Sequence, residues 1–420
     1  MNQAFVRKLF LVIALVCLSM SHAFAQTPIN LRMTIWSANE AHLKLFKEIA
    51  EAYKKTHPNV SVHFDSLPFA TYTTALTTQL AGGNAPDMAW IFETTAQDFV
   101  SSGTLLPLTK TLNATPNYNL AEVSEGATER WSKEGVLYAY PFSTSPFALF
   151  VNNDLIKKAG VKTPAELMAA GQWTWENAIA TASAVAKTGK AGLIVRDFNY
   201  QDWHYLASIW NAWGAAPWSA DGKRCTFTEK PMIDALSFIH DAIFVKKAIP
   251  GPGQNSDFFA GEAAMTITQI SRASLLPKEN GFAWDLVPLP KGPIGEYALI
   301  GQAAIGVFAT SKNAAEAASF IAFMTSPDNS AKLAQFFPSA RKSLLNAETL
   351  KKTNALLSSA QLDKVVVASI MNGKVMPGHS GFARLAQTVR AGLDGIWVEK
   401  ANIPTAMQSM CQQITPLLQR

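Results

Sequence analysis

A chain of 420 residues, 48% of them hydrophobic, is longer than one core usually holds, so two domains are expected. Its 36 basic and 31 acidic side chains leave a formal charge of +5, and no basic run with interleaved aromatics occurs, which argues against nucleic acid as a partner. After the first 25 residues no segment has the roughly 20 apolar residues that crossing a bilayer needs.

Those first 25 residues read as a secretory signal peptide: Arg7 and Lys8 start it, Leu9 to Leu18 is apolar, and Ala23-Phe24-Ala25 is a small-residue cleavage pattern. Cleavage after Ala25 leaves a periplasmic chain starting at Gln26 and takes the formal charge from +5 to +3. Cys17 follows Val16, where lipoprotein processing wants a small residue. Cys225 and Cys411 are then the only cysteines, in no CxxC arrangement. They could pair in an oxidising compartment, but the sequence does not show that their Cα atoms approach. Zinc is not expected, because no second ligand pair stands at metal spacing.

The N-terminal part alternates strand and helix. Leu31 to Trp36 reads as a strand, and Leu43, Phe46, Ile49, Ala50 and Tyr53 form one face of a helix that ends at His57-Pro58-Asn59. Val60 to Phe64 is a second strand, Thr71 to Ala81 a second helix closed by Gly82-Gly83, and Met88 to Phe92 a third strand. Strand starts about 30 residues apart match βαβ units and predict a parallel, doubly wound sheet. Ligands in such sheets sit beyond the carboxyl ends of the strands. That singles out Trp36, Asn39 and Glu40, then Ser66, then Glu93 and Thr94, although Ser37 and Asn39 are also good helix caps.

A second α/β region starts after Tyr138-Ala-Tyr-Pro-Phe142. Ala148 to Val151 reads as a strand, and helices are expected at 153–159, 175–187, 201–213, 231–247, 313–325 and 327–336. The last sixty residues are helical, with turns at Pro377-Gly378 and Asn402-Ile-Pro404. Four of the eleven tryptophans, Trp203, Trp210, Trp213 and Trp218, fall within 16 residues. They are either core or an aromatic platform for sugar rings, with Asp202, His204, Asn211 and Asp221 beside them to bond hydroxyls.

Motifs for covalent or cofactor chemistry are missing: no GxSxG, HExxH, GxxxxGK[ST] or post-strand GxGxxG occurs, and no cofactor is expected. Gly378-His-Ser-Gly381 has the wrong order for a nucleophile elbow. A facing carboxylate pair, Glu40 and Glu93, keeps a secreted carbohydrate-active enzyme open as an alternative.

The ordered series of segments resembles the extracellular solute-binding proteins of ABC importers, in the cluster that includes maltose-binding protein. It is carried by Pro58-Asn-Val, Ala81-Gly-Gly-Asn-Ala-Pro-Asp87, Gly103-Thr-Leu-Leu-Pro107, Leu137-Tyr-Ala-Tyr-Pro141 and Val151-Asn-Asn-Asp-Leu155. It continues through Trp173-Thr-Trp-Glu176, Trp213-Gly214, Phe259-Ala-Gly-Glu-Ala-Ala-Met265, Pro288-Leu-Pro-Lys-Gly-Pro293, Ser311-Lys-Asn313 and Ser326-Pro-Asp328. The resemblance implies an α/β, two-lobe type II binding-protein fold with hinge crossovers. Lobe one would hold 26–142 and 300–325, and lobe two 143–299 and 326–420. It also implies a monomer that binds a carbohydrate in the interlobe cleft and delivers it to membrane permease subunits.

The ligand positions the resemblance implies are Trp36, Asn39, Glu40, Ser66, Glu93, Thr94, Ser145, Trp203, Trp213, Gly301 and Gln302, and Gln269, Arg272 and Arg341 are further candidates. After Ala-Ala-Met265 the family usually runs into glycine and tryptophan, whereas this chain reads Thr266-Ile-Thr-Gln-Ile-Ser-Arg272. Arg272, with Arg196, Arg341 or Arg384, could meet a carboxylate or phosphate instead, so a glycerol-phosphate-type ligand or acidic sugar stays open.

Overall fold

The computed structural model describes residues 27–277 and 281–419; the expected signal peptide and its cleavage site lie outside them. The N-terminal rhythm folds as its periodicity dictates. Strand β1 (Ile29–Ile35) leads to helix α1 (Glu40–Lys54), β2 (Val60–Ser66), α2 (Tyr72–Ala81) and β3 (Met88–Phe92). In α1 the buried face is His42, Phe46, Ile49 and Tyr53, one residue per turn. Asn39 caps it, its Oδ1 accepting the backbone N–H groups of Ala41 at 2.9 Å and His42 at 3.2 Å.

Strand β4 (Ala139–Asn152) joins the two halves of the molecule, and all fourteen of its residues are buried. It is followed by α3 (Trp175–Ala186), β5 (Ala191–Val195), α4 (Lys230–Phe244), β6 (Ala263–Gln269), β7 (Trp284–Val287) and β8 (Leu299–Val307). Then come α5 (Ala314–Met324), the short β9 (Lys374–Val375), α6 (Phe382–Asp394) and α7 (Ile403–Leu418). The strand order is β2-β1-β3-β8-β4-β6-β5, with β9 on β8 and β7 on β4.

The pairing β1–β2, β1–β3 and β5–β6 is parallel, as the βαβ spacing requires. The crossover strands are not: β8 runs antiparallel to both β3 and β4, and β4 antiparallel to β6 and β7. The expected parallel sheet is therefore a mixed one, because the chain crosses between halves on β4 and returns on β8. Pro141 is tolerated in β4 at a register shift, where Ala303 pairs with Ser143 but Ala304 with Pro141, leaving Phe142 as the extra residue.

The first half of β4 contributes Ala139, Tyr140 and Phe142 to a core with Leu31, Trp90 and Ile305. The second half splits by period two. Phe147, Leu149 and Val151 face a second core with Trp203, Trp210 and Leu385, while Ala148 and Phe150 face a third cluster with Phe258 and Val365. Burial on both faces is why Phe147 to Val151 reads as unbroken apolar sequence. Past the expected boundary at Thr325, Leu333, Phe337 and Ala340 still belong to the first core. Phe337 holds the chain there through its ring contacts with Phe46, Trp90 and Phe142, at 5.8, 5.6 and 5.4 Å.

Cys225 and Cys411 are disulfide-bonded, their Cα atoms 5.6 Å apart. The bond ties the turn after Trp218 to α7 in the second lobe. The segment 201–213, expected as one helix, is instead a chain of short turns: 3₁₀ at Trp203–Leu206, α at Ala207–Trp210 and 3₁₀ at Asn211–Trp213.

Candidate functional site

A cavity of about 450 Å³ opens where the carboxyl ends of β1 and β3 meet the crossover strands and the second lobe. That volume falls within the range of pockets for small molecules. From the first lobe it is lined by Trp36, Asn39, His42, Phe69, Phe92, Glu93 and Thr94. From the crossovers come Ser143, Ser145, Gly301 and Gln302, and from the second lobe Asp202, His204, Tyr205, Gln269, Arg272, Ser274 and Phe382.

Its apolar wall is aromatic. Trp36 stacks on Phe92, and Phe69 stands edge-on to both. Gly301 lies opposite Ser145 in the β8–β4 register, and a methyl group there would come within 3.3 Å of the Phe147 ring. The absence of a side chain at that position keeps this side of the cavity open.

The polar wall combines neutral groups with one matched guanidinium and two carboxyl groups, Glu93 and Asp202. Arg272, the one lysine or arginine among the described lining residues, is ion-paired to Asp197 and lies 5.7 Å from the Phe69 ring centroid. Burial lowers its pKa, which the Asp197 carboxylate opposes. Glu93 is 5% exposed, and burial pushes its carboxyl up to about 7. The backbone groups of Glu93 and Gln302 and the Arg130 guanidinium pull in the other direction. Burial lowers His42 to about 4 and His204 to about 3, so both rings are neutral at pH 7. His42 Nδ1 lies 2.8 Å from Ser37 Oγ. His42 Nε2, His204 Nδ1 and Gln302 Oε1 are buried with no protein partner. Such atoms are costly to bury unbonded, and all three belong to residues that line the cavity.

Nine of the fourteen sequence-predicted positions lie together here: Trp36, Asn39, Glu93, Thr94, Ser145, Gln269, Arg272, Gly301 and Gln302. Asn39 serves both as helix cap and as a lobe-to-lobe contact, its Nδ2 donating to Ser274 Oγ at 3.3 Å. Five positions lie elsewhere. Glu40 opens α1 with its side chain in solvent, and Ser66 ends the edge strand β2, also exposed. Trp203 is 1% exposed and donates its indole N–H to Ala386 O at 3.1 Å, inside the second core. Trp213 packs on Phe238 of α4 with centroids 4.7 Å apart. Arg341 is 1% exposed and donates to the carbonyls of Tyr118, Asn119 and Thr325. With Glu40 outside the cavity, the Glu40–Glu93 pair does not face a common ligand.

Of the groups expected around the tryptophans, Asp202 and His204 line the cavity, whereas Asn211 is buried away from it and Asp221 bonds Ser219 at the surface. Sequence reasoning missed His42, Phe69, Phe92 and Tyr205. Phe92 carried a signal, since the last residue of a strand that points at a sheet's carboxyl edge is as well placed as the residue after it. His42 was hidden inside a helix-face pattern.

A family model described as bacterial extracellular solute-binding protein matches residues 37–331. The sn-glycerol-3-phosphate-binding periplasmic protein of Pectobacterium atrosepticum is 23% identical over 428 residues, covering 92% of this chain and 90% of that protein. Among solved structures, the chain is similar to an ABC substrate-binding protein of Listeria monocytogenes in complex with cycloalternan. The TM-score is 0.81 at 21% identity, with 93% and 99% of the two chains covered. It is also similar to the maltose-bound MalE3 of T. maritima, with TM-score 0.78, 20% identity and coverage of 93% and 100%.

Proposed function

This chain belongs to the bacterial extracellular solute-binding proteins, and from that premise we propose that it captures a neutral carbohydrate between its lobes and delivers it to the permease of an ABC importer. The observation that carries the reading is the cavity wall: stacked aromatic faces, neutral hydrogen-bonding groups without protein partners, and a guanidinium already matched by Asp197. A sugar ring has apolar CH faces that stack on Trp36 or Phe92, and hydroxyls that both donate and accept. Gln302 Oε1 accepts from such hydroxyls, and each neutral imidazole accepts or donates as its tautomer requires. A ligand touching Phe92 and Glu93 on one side and Tyr205 and Phe382 on the other has more contacts in the closed form. It therefore shifts the lobes toward closure.

In this reading the mature chain acts as a monomer in the periplasm, and the closed form is what the permease docks. Among the described residues no helix is long and apolar enough to cross a membrane. In this reading the chain binds and performs no chemistry of its own, as its family's description implies. An anionic ligand, such as the one in the name of the Pectobacterium relative, fits less well. It would have to displace Asp197 from Arg272 while sharing the cavity with Glu93 and Asp202.

The test is titration calorimetry with neutral mono- and oligosaccharides and with sn-glycerol-3-phosphate, followed by mass analysis of the recovered ligand. Binding of a neutral saccharide recovered intact is the expected result. Exclusive binding of the phosphate would overturn the neutral-ligand reading, and shortened glycans would overturn the non-catalytic one.

A further inference from the structure

The segment Pro377–Gly381 connects Met376 to Phe382, both of which line the cavity. It is anchored in the second lobe. Met376, Phe382 and Leu385 are in that lobe's core, and His379 Nε2 lies 2.9 Å from Gly222 O with its ring 5.4 Å from Trp218. Its other face touches the first lobe. Asp98 Oδ1 accepts the Gly381 N–H at 2.8 Å and the Ser380 hydroxyl at 3.4 Å. Asp98 sits on the short helix Ala96–Ser101, which Phe99 fixes in the first core. A methyl group at Gly378 would come within 2.2 Å of Arg130 Nη1 and 3.1 Å of Glu93 O, so a side chain there would have to push the Arg130 guanidinium aside. Arg130 Nη1 itself donates to Glu93 O at 3.4 Å, and the neighbouring Trp131 is in the first core.

We infer that Pro377–Gly381 is a latch: Asp98 and the Arg130–Glu93 face of the first lobe grip this strap of the second lobe only when the lobes are closed. The proposal rests on the solute-binding reading for its biological role but not for its geometry. Separating the lobes must break either the Asp98 contacts or the core packing of Phe382, and the two exposed hydrogen bonds are the weaker set. The grip therefore adds to ligand affinity without touching ligand, by favouring the closed state.

The test compares Asp98→Ala, Asp98→Asn and Gly378→Ala with the wild type. Maltose, maltotriose and a cyclic maltooligosaccharide serve as probes, and amide hydrogen exchange is followed over residues 376–386. Asp98→Ala and Gly378→Ala are expected to weaken the tightest probe about tenfold and to speed exchange in that segment by a similar factor. Asp98→Asn, which keeps an acceptor, is expected to lose less. Wild-type affinity and wild-type exchange in Asp98→Ala would overturn the latch. Should the wild type bind no probe, maltooligosaccharides are excluded as ligands and the saccharide bound in the wider titration replaces them. Equal affinity and equal exchange in wild type and Asp98→Ala, both saturated with that saccharide, then overturn the latch.

Discussion

Trp36 and Phe92 lie face to face, with ring centroids 4.1 Å apart and planes 11° from parallel. Neighbouring parallel strands deliver them there: Met33 of β1 pairs with Met88 of β3, Trp36 follows the last residue of β1, and Phe92 ends β3. Phe69 stands edge-on to both, at 6.3 and 5.2 Å, and Tyr72 does the same at 5.0 and 5.6 Å. A wall whose rings hold one another has little rotamer freedom left to lose when ligand arrives, which favours affinity.

Replacing Trp36 with Ala is therefore expected to weaken binding of a neutral saccharide by about tenfold or more, roughly 1.4 kcal/mol. The ring is only half-buried, so the fold should survive, and circular dichroism of the variant checks that. Calorimetric titration reads the loss; an unchanged affinity would remove this wall from the binding surface.

Glu93 gives the protein a pH dependence of definite sign. Its carboxyl is pushed from 4.5 up to about 7 by burial, so the folded state holds the proton more tightly than the unfolded one. The resulting stability is fully present below pH 4.5 and is lost as pH rises through 7, amounting to about 3 kcal/mol. Glu93→Gln should flatten this loss. Urea-unfolding midpoints between pH 5 and 8 are expected to fall with pH in the wild type and less steeply in the variant.

His42 and His204 act in the opposite sense at lower pH. Burial lowers them to about 4 and about 3, so the unfolded state takes up protons first. Their contribution is fully present above pH 6.5 and is lost as pH falls toward 4 and then 3, about 3 kcal/mol or more for each ring. In a double variant, His42→Gln with His204→Gln, the acid-unfolding midpoint should move to lower pH. A midpoint that stays where the wild type has it would show the rings to be hydrated in the fold.

The sequence made the local rhythm legible and the long-range pairings not. Strand ends at Trp36 and Glu93 could be read because a βαβ unit fixes which end of a strand faces the ligand edge. The same rule failed at Ser66 because β2 is the sheet's outer strand and its end faces solvent. It failed at Glu40 because Asn39, one residue earlier, takes the cap and turns inward. Trp203 and Trp213 needed knowledge of what packs on them, Ala386 and Phe238, and neither lies near in sequence. The return of the chain antiparallel on β8 is likewise a non-local pairing, which periodicity does not carry.

The disulfide offers a test of how the second lobe is held. Cys225 and Cys411 are 186 residues apart, and closing so long a loop in the unfolded chain corresponds to about 5 kcal/mol by chain entropy. The double variant Cys225→Ala, Cys411→Ala should lose about 2–5 kcal/mol in urea unfolding. Adding a reductant should lower the wild type to the same level and leave the variant unmoved.

Arg341 separates a structural arginine from a ligand-binding one. Its guanidinium lies 4.6 Å from the Tyr118 ring centroid and donates to three backbone carbonyls, those of Tyr118, Asn119 and Thr325. Tyr118 in turn bonds Thr325 through its hydroxyl at 2.7 Å, so the side chain joins the segment at 118–119 to the end of α5. Arg341→Met keeps much of the volume but leaves those carbonyls unpaired, and a buried charge-assisted network lost in this way costs about 3 kcal/mol. The expected result is a large fall in unfolding midpoint with saccharide affinity unchanged at temperatures where the variant is folded. A selective loss of affinity at wild-type stability would return Arg341 to the ligand site.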